Sequence, residues 1–404
     1  MQFENKPTSI GFMSGSLQLW IEYILRFSHL VAGIAWIGSS FYFIWLDSAF
    51  KAPETPRHNV DGELFMVHGG FYYLVEKKKI YPGELPKILH WFKWEATLTW
   101  ISGFALLVAV YYLRGASLLV DPEILKLTQV QAISLSLGLV TAFWFIYDYV
   151  WHYIKNKTFN VLSSIALLIF MIYLNTHAFS GRGAFIQTGF MLGTMMLLNV
   201  WVRILPGQRK MIADAQDGKI PDYSFSVKAK VRSVHNTYFI FPVLFIMLSN
   251  HYGAIYNHPQ NWLLLIILAV SGALVRHAMV TQVRVQRWTL FPAAIGLAGL
   301  VFMTAVGVKI NSAPRPPVAF EQVKPIFQNR CISCHSPLPT DDVFKVTPKG
   351  ISLVNEEGIR AFLPEIYQQV SVARVMPLAN KTGMTDEERR LLTDWLKQQI
   401  PVVD

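Results

Sequence analysis

Cysteine is nearly absent. The 404-residue chain holds two, Cys331 and Cys334, so a disulfide framework is excluded and sulfur chemistry is confined to one place. Charge is scarce as well. Charged residues make up 15%, against roughly a quarter in soluble domains, while hydrophobic residues reach 52% and mean hydropathy is +0.33. That balance excludes a wholly water-soluble globule and suits a membrane protein carrying a smaller soluble part. Nucleic-acid binding is not expected despite a net charge of +10, because Lys and Arg lie in loops between apolar runs. Repeats and low-complexity tracts are missing. Residues 1–16 also lack the basic, apolar and small-residue segments of a cleavable signal peptide.

What the chain has is apolar length. Runs of about twenty residues, the length that crosses a bilayer, fall at 17–46, 92–113, 130–153, 158–178, 184–205, 235–255, 261–281 and 288–308. The predicted fold is therefore all-α, with an eight-helix transmembrane bundle over 1–310. Loop charges orient it. Lys51, Arg57, Lys77, Lys78, Lys79 and Lys87 follow the first run, and Arg209, Lys210, Lys219, Lys228, Lys230 and Arg232 follow the fifth. The alternate loops hold little beyond Arg114, Lys126 and Arg182. The positive-inside rule places the rich loops in the cytoplasm of a bacterial inner membrane and both termini on the periplasmic side.

After the last run, 311–317 (Asn-Ser-Ala-Pro-Arg-Pro-Pro) forms a semi-rigid spacer. Both cysteines then appear in Cys331-Ile332-Ser333-Cys334-His335, the attachment pattern of a c-type haem: two thioethers from Cys331 and Cys334, and an axial ligand from His335. A zinc half-site would need further ligands nearby, and no other histidine follows His277. Met376, in Arg374-Val375-Met376-Pro377-Leu378, is the expected second axial ligand. Met384 competes, but it leads into a last helix with Thr385 as N-cap. Phe320, Val323, Ile326 and Phe327 predict a short amphipathic helix ending at Cys331. In this order of parts, 318–404 resembles a small class I cytochrome c domain. The resemblance implies one-electron transfer through a single covalent haem c.

Ionisable residues at membrane depth usually face the bundle interior. Topology sorts them into two layers. The inner layer holds Glu95, Asp148, His152, Arg232, His235, Asn236, Tyr238, Arg276 and His277, with Asp47 and the His68-Gly-Gly-Phe-Tyr72 loop. Such a mixture suits a planar, polar, anionic heterocycle. Each member taken singly also reads as an interfacial anchor. The outer layer holds His29, His177 and His251, which suit axial ligation of a b-type haem between helices and read equally as packed polar residues. Some deep substrate position, redox group or quinone is expected, because the hydrocarbon core is roughly 30 Å thick.

Gly38-Ser-Ser-Phe-Tyr-Phe-Ile-Trp-Leu-Asp47, His68-Gly-Gly-Phe-Tyr, Trp91-Phe-Lys-Trp-Glu95, Arg232-Ser-Val-His-Asn-Thr-Tyr238 and Met247-Leu-Ser-Asn-His-Tyr252 resemble one family across essentially the whole chain. It is the bacterial membrane-bound urate oxidase (urate hydroxylase), a membrane domain fused to a cytochrome c. The resemblance implies urate as substrate, 5-hydroxyisourate as product, and electrons passed through the cytochrome to a terminal oxidase or soluble cytochrome c. On that basis Glu95, His68 or His235 would act as general base. Arg232 would hold the urate anion, with Trp36, Tyr72, Trp94, Asn236 and Tyr238 around it. Two rivals remain: a quinol-oxidising electron-transfer subunit carrying haem b and haem c, and a carrier or channel regulated by its cytochrome.

Overall fold

The computed structural model describes residues 9–86, 88–113, 118–280, 284–306, 316–341, 344–372 and 374–400. Lys87, Arg114 and most of the 311–317 spacer lie outside that set. Among the described residues, eight helices are long and apolar enough to cross a membrane. They are α1 (Ser9–Ala49), α2 (Trp94–Leu107, continued by a π turn over Val108–Tyr112), α3 (Gln129–Tyr153) and α4 (Lys157–Ala178). The fifth runs through α5 (Gly181–Leu198), a π segment (Asn199–Ile204) and α6 (Leu205–Gln216). Then come α7 (Ser224–Ser249), the short α8 (Gly253–Tyr256), α9 (Asn261–Val280) and α10 (Leu290–Val306).

Side-chain caps fix several starts. Thr128 and Gln131 form a capping box on α3, Asn156 caps α4, and the Ser180 hydroxyl accepts from the Gly183 amide on α5. α5 is the central staff, packed against α3, α4 and α7 and buried along most of its length. Its first residue is glycine for a steric reason. A Cβ at Gly181 would clash with the Tyr256 carbonyl, and one at Gly189 would meet Ile246 at 2.7 Å. α1 packs chiefly on α2 and keeps most of its apolar surface outward.

Two boundaries differ from expectation. α7 begins at Ser224 instead of 235, so Lys228, Lys230 and Arg232 belong to a helix and not to a loop. The fifth span continues to Gln216 because the π segment carries the helix past its apolar part. The all-α expectation also needs one correction. Val60–His68 (β1) and Phe71–Lys78 (β2) form an antiparallel hairpin, with His68 opposite Phe71 and Gly69-Gly70 at φ +61° and +82° as its turn. Both turn positions need left-handed backbone, which is why glycine occupies them. They close the hairpin.

The bundle has two distinguishable ends. The hairpin and the 217–223 turn share one, joined by the Tyr223 hydroxyl donating to the Ile80 carbonyl at 2.5 Å and by Asp47 pairing with Lys77 and Lys230. At the other end, residues 118–124, 176–182 and 256–262 meet a small C-terminal domain across a cleft of about 670 Å³. That domain contains α11 (Phe320–Arg330), α12 (Glu356–Arg360), α13 (Leu363–Ile366) and α14 (Asp386–Gln399). α11 crosses α14 over a core of Val323, Phe327, Leu353, Ile359, Leu392 and Trp395.

Candidate functional site

Near the hairpin end, one carboxylate holds two guanidinium groups. Asp148, on the last turns of α3, accepts from Arg232 Nη2 at 2.8 Å and from Arg203 Nε at 2.8 Å. Arg232 is only 4% exposed, and its guanidinium lies 4.8 Å over the Tyr147 ring. Asn199, fully buried, donates to the Tyr147 hydroxyl at 3.0 Å and to Asn236 Oδ1 at 2.9 Å, and Asn236 donates to the Met196 carbonyl. Tyr147 also meets His235 Nδ1 at 2.7 Å, the imidazole tautomer deciding which of the two donates. Trp151 packs edge-on against that imidazole with ring centres 4.1 Å apart.

The π segment makes this convergence work. A π turn inserts a residue into the helical ladder and recurs at functional sites. Here it turns both Asn199 and Arg203 towards α3 and α7. Two arginines against one carboxylate leave a surplus positive charge, and the side chain of Arg203 is 25% exposed whereas that of Arg232 is 5% exposed. Chemically, the group can attract an anion and pass a proton through the Tyr147–His235 pair.

A second, similar couple lies beside it. The Tyr238 hydroxyl meets His277 Nδ1 at 2.7 Å, and the Arg276 guanidinium lies 4.6 Å over the Tyr238 ring. His235 and Tyr238 are one turn apart on α7, so that helix carries one half of each couple.

The other expected residues are spread more widely. His68 and Tyr72 sit on the outer half of the hairpin, with Tyr72 77% exposed, and neither joins the buried network. Trp36 lies on α1, where its carbonyl accepts from Ser39 and Ser40. Trp94 is exposed and packs edge-on against Trp201, whose indole donates to Thr97 at 2.8 Å. Glu95 is the most suggestive of this group. Its Oε2 is buried without a hydrogen-bond partner, and Oε1 is 3.9 Å from His90 Nε2. A buried unpaired carboxylate oxygen is expensive and suits a missing donor.

The outer histidines occupy separate surroundings. His29 bonds the Thr99 carbonyl at 2.9 Å and packs against Gly103, where a Cβ would meet its ring at 2.9 Å. His177 stacks on Tyr173 and bonds its carbonyl, and His251 is exposed just beyond α7. No hydrogen bond or ring contact joins the three.

Tyr147, Trp151, Asn199 and Arg203 were not singled out from the sequence. Asn199 and Arg203 did carry a signal, as polar residues within an apolar run. Tyr147 carried none, being one aromatic among many.

Residues 15–306 match the urate oxidase N-terminal family. The chain belongs to it. No curated protein and no solved structure matches the chain. The matched span covers all eight membrane-length helices and the buried Asp148 group, and a urate-related oxidoreductase activity goes with that membership.

Beyond the family span, Cys331 caps the end of α11 and Cys334 follows it. Burial pushes the Cys331 thiol up to about 12 and raises that of Cys334 as well. Among the described residues, no group of three or more His, Cys, Asp and Glu could hold a metal ion. His335 Nδ1 lies 3.0 Å from the Ile351 carbonyl. That bond assigns the proton to Nδ1 and leaves the Nε2 lone pair for a metal, the orientation an axial haem ligand needs. Cys331 and Met376 pack against the same apolar core as Met384, which is 3% exposed. These residues fit a covalently held haem.

Proposed function

We propose that the protein is a membrane-bound urate oxidase that converts urate to 5-hydroxyisourate and passes the electrons to a haem c in its own C-terminal domain. The observation that carries the reading is the buried Asp148–Arg203–Arg232 group, with its surplus positive charge, inside a bundle of the urate oxidase N-terminal family.

Urate is a planar monoanion near neutral pH. Its charge is met by Arg203, the more exposed guanidinium, while Arg232 holds Asp148 in place from the buried side. Asn199, with both amide hydrogens taken by Tyr147 and Asn236, braces the site from behind. The Tyr147–His235 pair takes up and relays a proton, and Glu95 is the competing base. Urate anion and water give 5-hydroxyisourate, one proton and two electrons, with the water oxygen bonding to C5. Cys331, Cys334, His335 and Met376 would hold a covalent haem c, which would supply one-electron acceptor chemistry for the two electrons.

The Lys- and Arg-rich hairpin end would face the cytoplasm, where purines are degraded, and the C-terminal domain the periplasm of a bacterial inner membrane. Electrons would continue to a terminal oxidase or a soluble cytochrome c. Membrane lipid would surround the outward apolar faces of α1, α4 and α10.

The test is an anaerobic titration of purified, oxidised protein, watching the absorption band of reduced c-type haem. Urate should reduce it and xanthine should not. Reduction by a quinol but not by urate would replace this reading with that of a quinol-oxidising electron-transfer subunit. A b-type band in the same spectrum would assign a haem b to the outer histidines.

A further inference from the structure

The C-terminal domain meets the bundle chiefly through one loop. Val375 packs against the apolar cluster that contains Tyr147, Tyr256 and Leu265, and Leu378 against the one that contains Leu118, Leu119 and Phe179. Asn380 fastens the end of the loop. Its Nδ2 donates to Glu123 Oε1 of the α2–α3 connection at 2.6 Å and to the Met384 carbonyl at 3.0 Å, while its Oδ1 accepts from the Met384 amide at 2.8 Å. Met376 lies between these anchors. From its own domain it is held by Arg389, whose Nη1 donates to the Met376 carbonyl at 2.7 Å and the Val370 carbonyl at 2.8 Å.

The loop's backbone needs such support. Arg374 and Asn380 adopt φ of +50° and +45°, a left-handed conformation that persists in non-glycine residues where surroundings enforce it. The helices of the two parts do little of the joining, since the 670 Å³ cleft separates them beside the loop.

We infer that the helix bundle positions the Met376 loop, with Glu123, a residue outside the haem domain, setting how firmly Met376 is presented to the iron. The inference rests on the haem c reading above. A thioether is a weak iron ligand, so a loop released from one of its two supports spends more time with Met376 withdrawn. Electrons leaving the bundle would also enter the haem domain on its methionine side, where Val375 touches the cluster that reaches Tyr147.

The experiment uses full-length holoprotein. Glu123→Ala should raise the fraction of haem lacking methionine ligation about fivefold, equivalent to about 1 kcal/mol. The readouts are a weaker far-red band of Met-ligated ferric haem and a lower midpoint potential. Glu123→Gln, which keeps an acceptor, should restore most of both. Leu378→Asp should exceed Glu123→Ala. Wild-type band and potential in both Glu123→Ala and Leu378→Asp would overturn the inference.

A second measurement tests the joint itself. In a Glu123→Cys/Asn380→Cys variant the haem thioethers leave no other thiol, so a short bis-maleimide should bridge the two new ones. Failure to bridge would remove the joint and the inference with it. A wild-type protein without a c-type spectrum would overturn both this inference and the haem reading. A normal spectrum that responds to neither Glu123→Ala nor Leu378→Asp overturns this one alone.

Discussion

Asp148 is shared by two cations of unequal exposure, and the inequality separates their roles. Removing the carboxylate strands Arg232 in a buried site. Asp148→Asn should therefore destabilise the bundle by about 3–5 kcal/mol, the cost of leaving a buried charge unpaired, read as a lower thermal midpoint in detergent. Arg203→Gln leaves the Asp148–Arg232 pair intact. It should raise the urate concentration for half-maximal turnover about tenfold or more with little loss of stability, as steady-state kinetics and the same melt would show. Equal kinetic effects of Arg203→Gln and Arg232→Gln at unchanged stability would contradict this division. From the sequence, Arg232 was the anchor and Arg203 passed unnoticed. Arg232 stood in a polar motif, Arg232-Ser-Val-His-Asn-Thr-Tyr238, whereas Arg203 sat between Val202 and Ile204. Which of them is buried depends on α3 and the π segment, and neither residue's neighbours in the chain report that.

At the scale of elements, the last helix shows how far local chemistry reaches. The Thr385 hydroxyl accepts from the Glu388 amide, and the Glu388 carboxylate accepts from the Thr385 amide at 2.8 Å and from Arg330 Nη2 at 3.0 Å. Partial burial pushes the Glu388 carboxyl up, but the Arg330 guanidinium and the Thr385 amide outweigh it and leave the group below the usual glutamate range. A depressed folded value means stability that is fully present above the ordinary glutamate pKa of about 4.3 and lost as pH falls through the folded value. Hydrogen exchange at the Trp395 amide should show the C-terminal domain weakening over that acid window. Glu388→Gln should flatten the slope, and Thr385→Ala should cost about 1 kcal/mol at pH 7. This cap was legible in Thr385-Asp-Glu-Glu388 because it needs only four neighbours. The hairpin was equally local: Gly69-Gly70 between Leu64-Phe-Met-Val67 and Phe71-Tyr-Tyr-Leu-Val75 is a turn between strand-forming runs. It was missed because His68-Gly-Gly-Phe-Tyr72 was read as a loop of the inner polar layer, whereas the strands place His68 and Tyr72 on the outer half of the hairpin.

For the whole molecule, alternation of loops carries the argument. Residues 118–124, 176–182 and 256–262 gather at the end that meets the C-terminal domain, while the hairpin and the 217–223 turn share the opposite end. Apolar length and loop order made that alternation legible. The Tyr147–His235 and Tyr238–His277 pairs were not, because they join residues 88 and 39 positions apart through helix packing. The orientation proposed from Lys and Arg can be checked with a membrane-impermeant maleimide. Gln260→Cys should label in intact spheroplasts, and Lys79→Cys only after permeabilisation. The reverse pattern would place the urate site outside the cell membrane and separate it from cytoplasmic purines.

The π segment Asn199–Ile204 has one more consequence. An α-helix advances about 100° per residue, so a single residue gained or lost there spins everything beyond it by that amount. Deleting one position would restore an unbroken helix and swing Arg203 off Asp148 while every apolar contact of Gly181–Leu198 stayed in place. The fifth span thus resembles a dial with two settings.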